Sequence, residues 1–174
     1  MSLYEKAAMR LIHYSAKPLA SVYSIPLAEQ EKHRMGLHKP RGLWVSVEGD
    51  DDWKSWCEGE GWGLAGLACA AEITLAQGGN VLILEGEAAL DKFHDEYSVV
   101  QFRYGGGLGV KTAIEWPKVA AKFDGIIIIA PYVYGRRLDG PVSDWYYGWD
   151  CASGCIWNAD AISALNPVQV SQAA

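Results

Sequence analysis

Leu11-Ile12-His13-Tyr14-Ser15 and, thirty positions later, Arg41-Gly42-Leu43-Trp44-Val45-Ser46 decide how this chain reads. Each is a short apolar run closing on a ring or a hydroxyl, the pattern of a brief strand that delivers polar groups at its end. Two such strands suit a site clamped between them. Ala7 to His13 reads as the first strand after a polar lead, and Pro18 and Pro26 make the next stretch irregular. A long loop, Ser24 to Arg41, leads into a second strand over Leu43 to Val47. Gly49-Asp50-Asp51-Asp52 ends that strand. Its aspartates are good N-caps for a helix over Trp53 to Glu58, on which Trp53 and Trp56 share a face.

Further along, Gly59 to Gly66 is glycine-rich, Ala70 to Ala76 alternates as a strand, Gly78-Gly79-Asn80 turns, and Val81 to Leu84 is another strand. Glu87 to Tyr97 has helical spacing, with Leu90, Phe93 and Tyr97 on one side and acids at its start. Gly105-Gly106-Gly107-Leu108-Gly109 lacks the Lys-Ser/Thr that would make it a phosphate loop. Trp116 to Phe123 predicts a short helix with Pro117 in its first turn, and Trp116 is most simply a packing residue. Asp124-Gly125 then enters Ile126 to Ile129, a β-branched run for the buried middle of a sheet. Tyr132 to Ser143 reads as a loop, Trp145 to Trp149 as an aromatic segment, Cys155-Ile156-Trp157 as the last strand, and Ala161 to Leu165 as a closing turn. About seven short strands with a few small helices and no internal repeat predict one α+β domain over residues 1–174.

Composition agrees with a folded, enzyme-sized domain. At 174 residues a chain buries roughly two thirds of its unfolded surface, and 50% hydrophobic against 21% charged residues is far from the disordered class. Eight Trp and nine Tyr exceed what core packing requires and suit binding surfaces. A net charge of −6 gives no global attraction to a nucleic-acid backbone. Lys32, His33, Arg34, His38, Lys39 and Arg41 form one local basic stretch and Arg136-Arg137 a second, both most simply solvated loop charges. No apolar run approaches the ~18 residues of a membrane span and no secretory pattern opens the sequence, so the expectation is a soluble, cytoplasmic protein without membrane partners. Cys57, Cys69, Cys151 and Cys155 form no paired C-x-x-C motif and read as reduced thiols rather than metal ligands.

The strand ending His13-Tyr14-Ser15, the Gly42-Leu43-Trp44-Val45-Ser46 strand and the capped, Trp-bearing helix together resemble the NAD-binding half of the ADP-ribosyltransferase superfamily. The later pieces Glu72-Ile73-Thr74-Leu75, Val81-Leu82-Ile83-Leu84 and Phe123-Asp124-Gly125-Ile126-Ile127 are similar to that family's second half. The resemblance spans about residues 9 to 163 and rests on order and local pattern. It implies a split antiparallel sheet core, NAD as substrate and a mono-ADP-ribosyltransferase that releases nicotinamide while modifying a macromolecule, protein or nucleic acid. By the same resemblance, His13 donates to a hydroxyl of the adenosine ribose, Tyr14 offers its backbone to the nicotinamide amide, and Ser15 supports the His. Trp44 and Ser46 line the nicotinamide pocket, and Trp53 or Trp56 stacks on the ring.

The chain departs from the family where a Glu usually opens the last strand, because no Glu follows Glu115. Breaking the nicotinamide bond calls for an anionic group near an oxocarbenium-like ribosyl cation. Asp150 is the candidate for that charge and Ser153 for a ribose contact, with Asp144 and Asp139 behind them as exposed loop acids. Tyr132, Tyr134, Arg136 and Arg137 stand where the family's target loop lies. Three alternatives remain open on the residues alone: an NAD glycohydrolase on the same site, a non-catalytic nucleotide-binding or interaction module, and a Cys151 nucleophile, for which no basic partner is near in sequence.

Overall fold

The fold was obtained as a computed structural model, which describes residues 9–31, 39–103, 110–130, 133–138 and 140–170. The glycine run 105–109, the basic residues Lys32, His33, Arg34 and His38, and Tyr132 and Asp139 lie outside the described residues, as does the side chain of Tyr134. The strands are β1 (Leu11–Ser15), β2 (Leu43–Val47), β3 (Cys69–Leu75), β4 (Val81–Leu84), β5 (Ser98–Arg103), β6 (Val110–Ile114), β7 (Gly125–Ile128), β8 (Ser153–Ile156) and β9 (Ile162–Val168). The helices are α1 (Leu27–Glu31), α2 (Trp53–Glu60), α3 (Glu87–Tyr97), α4 (Trp116–Ala120) and α5 (Ser143–Tyr146).

Seven strands form one sheet in the order β4-β7-β8-β2-β1-β3-β9, and β5 pairs with β6 apart from it. Only β4 and β7 run parallel; every other neighbouring pair is antiparallel. The fold is thus a mixed α/β one, with a curled, antiparallel-dominated sheet and a few short helices. β3 and β4 follow each other in the chain yet sit at far places in the sheet, so the Gly78-Gly79-Asn80 turn is a crossing between regions.

The sheet separates two apolar clusters. On one face Leu90, Phe93, Trp116, Val119, Trp145 and Trp149 pack over Ile126, Ile128 and Cys155. On the other, the curled strands press Leu11, Val45, Ile73, Ile127 and Ile156 together. Alternation along β7 sends Ile127 one way and its two neighbours the other, and all four β7 residues are buried. Helix α3 turns Leu90, Phe93 and Tyr97 inward as its spacing predicts. It is locked to α5 by Trp145 Nε1, which donates to Nδ1 of the buried His94 at 3.1 Å. That leaves His94 a neutral imidazole, its pKa lowered chiefly by burial.

Several sequence expectations are corrected: the stretch Ser24 to Arg41, read as a loop, carries α1, and the first strand, read as Ala7 to His13, runs Leu11–Ser15. Cys155-Ile156-Trp157 is not the last strand. β8 covers Ser153–Ile156 in the middle of the sheet, and the expected closing turn at Ala161 to Leu165 is instead the start of β9. β9 has the sheet's edge to itself and pairs only with β3, so it does not need strong apolar alternation and tolerates Pro167. The β5–β6 hairpin went unread because β5 follows α3 with no intervening turn signal.

β8 reaches two neighbours at once because of Gly154. A Cβ there would stand 2.4 Å from the Ile126 carbonyl oxygen and 2.6 Å from Ile127 Cγ1. Gly154→Ala is expected to destabilise the fold by at least about 2 kcal/mol, whereas Gly78→Ala, with nothing within 4 Å of the added carbon, should stay within about 0.5 kcal/mol. Paired urea denaturations check this; equal midpoints for the two variants would refute it.

Candidate functional site

Between β1, β2, α2 and the segment that enters β8 lies a cleft of about 280 Å³. Its walls come from five parts of the chain: Ile12, His13 and Tyr14 on β1; Trp44, Val45 and Ser46 on β2; Trp53 on α2; Asp150, Cys151 and Ser153 at the entry to β8; and Lys39 from the loop before β2. Of the residues singled out in sequence, His13, Tyr14, Trp44, Ser46, Trp53, Asp150 and Ser153 meet here, while Ser15 and Trp56 do not line the cleft. Ser15 donates its hydroxyl to the Lys17 carbonyl at 2.7 Å. Trp56 stacks on Trp53 with ring centres 5.0 Å apart.

The cleft exists because β1 and β2 part company. They pair only at Leu11↔Val47 and Ile12↔Ser46, whereas β1 continues along β3 as far as Ser15↔Cys69. Beyond Ile12 the edge of β1 that faces β2 has no ladder partner. His13 bridges the opening: its Nδ1 lies 2.7 Å from the Trp44 carbonyl oxygen. A carbonyl only accepts, so Nδ1 carries the proton, and the Nε2 of a neutral His13 is an acceptor.

Ser46 is buried, and its Oγ accepts the Trp53 backbone N–H at 2.8 Å. It therefore ties the end of β2 to the first turn of α2. Asp52 caps the same helix by accepting from the Ser55 N–H at 2.7 Å, and Gly61 closes it in a left-handed conformation at φ 62°. The backbone stitches Val47 N–H to Ala152 O and Ala152 N–H to Asp51 O, both 2.9 Å, fix the segment carrying Asp150 and Ser153 against this turn. Ser153 is buried and donates to the Cys151 carbonyl at 3.0 Å.

The charges are unevenly matched. Asp150, with 21% of its side chain exposed, forms an ion pair with Arg137 at 18%. Arg137 also donates from Nε to the Tyr147 carbonyl at 2.6 Å, and its guanidinium lies 5.3 Å from the centre of the Tyr147 ring. Lys39 is the cation without such a partner: no ion pair joins it to any described residue, and its Nζ stands 4.9 Å from the Trp44 ring centre. Burial lowers its pKa, and the nearby Asp150 charge opposes that shift. Sequence reasoning grouped Lys39 with the solvated basic loop. Only its place just ahead of Pro40-Arg41-Gly42, the entry to β2, marked it out.

Cys151 lines the cleft, but burial pushes its thiol up to about 12, so it is a neutral and poor nucleophile near pH 7. Tyr14 is likewise raised to about 12 by burial and then by the Asp52 and Glu48 charges. All four cysteines are free thiols. No group of three or more His, Cys, Asp or Glu positioned to hold a metal occurs among the described residues, nor does a helix long and apolar enough to cross a membrane. No protein-family model, curated protein or solved structure matches the chain.

Ser46→Ala leaves the part-buried Trp53 N–H without its acceptor and is expected to cost about 1 kcal/mol, read as a lower denaturation midpoint; an unchanged midpoint would show that the tether contributes nothing. A second expectation concerns pH. Groups whose folded pKa is raised stabilise the fold fully below their unfolded pKa and lose that contribution as pH rises through the folded value. Cys151 and Tyr14 therefore predict stability that declines from about pH 9 toward pH 12. Cys151→Ala should flatten the first part of that decline in urea titrations run from pH 8 to 11.

Proposed function

We propose that the cleft binds NAD and that the protein transfers ADP-ribose from it to a macromolecule, on an ADP-ribosyltransferase-like fold. The observation that carries this reading is convergence: seven residues singled out along the sequence for NAD chemistry come from separate segments and line one cleft. A volume near 280 Å³ is at the small end of ligand pockets, about 300–1,000 Å³. It suits the nicotinamide-ribose half of the dinucleotide, with the remainder extending along the open edge of β1.

The chemistry follows from the groups present. A cationic nicotinamide ring gains dispersion and electrostatic attraction from the faces of Trp53 and Trp44. The His13 ring, anchored through Nδ1 on the Trp44 carbonyl, presents Nε2 to a ribose hydroxyl. Lys39, a cation with no carboxylate partner of its own, suits the diphosphate. Nicotinamide leaves as a neutral base, so departure needs no proton; it needs stabilisation of positive charge growing on the ribosyl carbon. Asp150 supplies it, held in place by its ion pair with Arg137. A carboxylate shared with a guanidinium exerts a weaker field than a bare one, so a modest rate is expected.

The test is release of free nicotinamide from NAD by the purified protein, alone and with cell extract as a source of acceptors. His13→Ala and Asp150→Asn are each expected to lower release by ~100-fold or more, and Lys39→Met to raise KM about 10-fold with kcat little changed. Label from the adenine half appearing on a macromolecule identifies transfer, and free ADP-ribose alone identifies hydrolysis. No release in either condition would sink the enzymatic reading.

A further inference from the structure

The mouth of the cleft carries an aromatic surface that the packing of the protein does not use. Trp53, Trp56 and Trp62 form a cluster: the first two stack at 5.0 Å and 13°, and Trp62 stands edge-on to them at 5.9 and 5.8 Å. Trp53 reaches into the cleft, while Trp62 is 60% exposed and Leu64 beside it 51%. Large apolar side chains grouped in water at the rim of a pocket mark a docking surface.

The charge around this surface selects the partner. Trp53, Trp56 and Glu60 are spaced three and four apart on α2, so the Glu60 carboxylate lies on the same face as the two stacked rings. Asp50 and Asp51 are exposed at the other end of the helix, and among the described residues none of these three acids forms an ion pair. The one basic residue of α2, Lys54, is held by Glu58 at 3.1 Å. A nucleic-acid strand would bring phosphates against unpaired carboxylates, on a chain whose net charge is already −6. A cationic side chain gains from both features, since indole faces attract cations and acids at the rim add Coulomb attraction. Guanidinium is favoured over ammonium because it is planar, stacks on an indole and is more weakly hydrated.

We propose that the Trp53–Trp56–Trp62 surface docks an arginine-containing basic segment of a protein and so presents that protein to the cleft. The second half of this inference rests on the NAD reading above; the docking itself does not.

The experiment uses the full chain without NAD. A dye-labelled Arg-Gly repeat peptide, the same peptide with Gln in place of Arg, and a labelled single-stranded DNA of similar length are titrated with protein and followed by anisotropy. The arginine peptide is expected to bind at least ~10-fold more tightly than the glutamine peptide, and more weakly as salt rises. Trp62→Ala and Glu60→Gln should each weaken it ~3- to 10-fold. Tyr23→Ala should bind as the wild type does, because this still more exposed ring stands beside Ser24 and its Asn158 contact and does not line the cleft. Because Trp62 and Glu60 are exposed, both variants should fold, which circular dichroism verifies. Equal binding of the two peptides, tighter binding of the DNA, no binding, or an unchanged Trp62→Ala variant would each overturn the proposal. Loss of docking with nicotinamide release intact refutes this surface alone, and loss of release with docking intact refutes the catalytic reading alone.

Discussion

The antiparallel embrace of β8 by β2 and β7 holds the rest of the structure in place. On one side of β8 stands the parallel pair β4–β7 under its helices; on the other are β2, β1, β3 and β9. Among the described residues no other strand pairing joins these two halves. Gly154 lets β8 approach the β7 backbone closely, and of the residues just before it Asp150, Cys151 and Ser153 line the cleft. The same strand that completes the sheet thus supplies part of the site.

The opposite wall has a different origin. β1 is fixed by a long pairing with β3 but leaves β2 after two residue pairs, and His13 spans the opening through the Trp44 carbonyl. A sheet that stayed zipped would have no cleft. The local electrostatics reflect that opening: Lys39 stands partly desolvated beside an indole, while the neighbouring carboxylate is already matched by Arg137. The balance favours a ligand that brings negative charge to Lys39 and a flat ring to the tryptophans.

Much of this was legible in the sequence, and what was missed has physical reasons. Leu43–Val47, Val81–Leu84 and Glu87–Tyr97 are found at the predicted bounds because period and capping agree there. The four-isoleucine run, read to Ile129, forms β7 one residue earlier, over Gly125–Ile128. β9 escaped notice because an edge strand, with one side open to water, carries a weak pattern and here a proline. The order of strands in the sheet was not readable, since consecutive β3 and β4 are separated by contacts made far along the chain. The site residues on β1 and β2 were singled out by the resemblance their two strands bear to a family pattern. Lys39 and the pairing of Arg137 were not, because loop positions obey no period and a salt bridge between them leaves no mark on the sequence.

Arg136 and Arg137 occupy one turn and reach in different directions. Arg136 grips Asp91 of α3 through Nε at 2.5 Å and Nη2 at 2.8 Å, and approaches Glu87 at 3.2 Å; Arg137 grips Asp150. Adjacent Cα atoms are about 3.8 Å apart, so the two anchors stand side by side on one turn. A helix that contributes nothing to the lining of the cleft is thereby linked, through two consecutive arginines, to the carboxylate inside it.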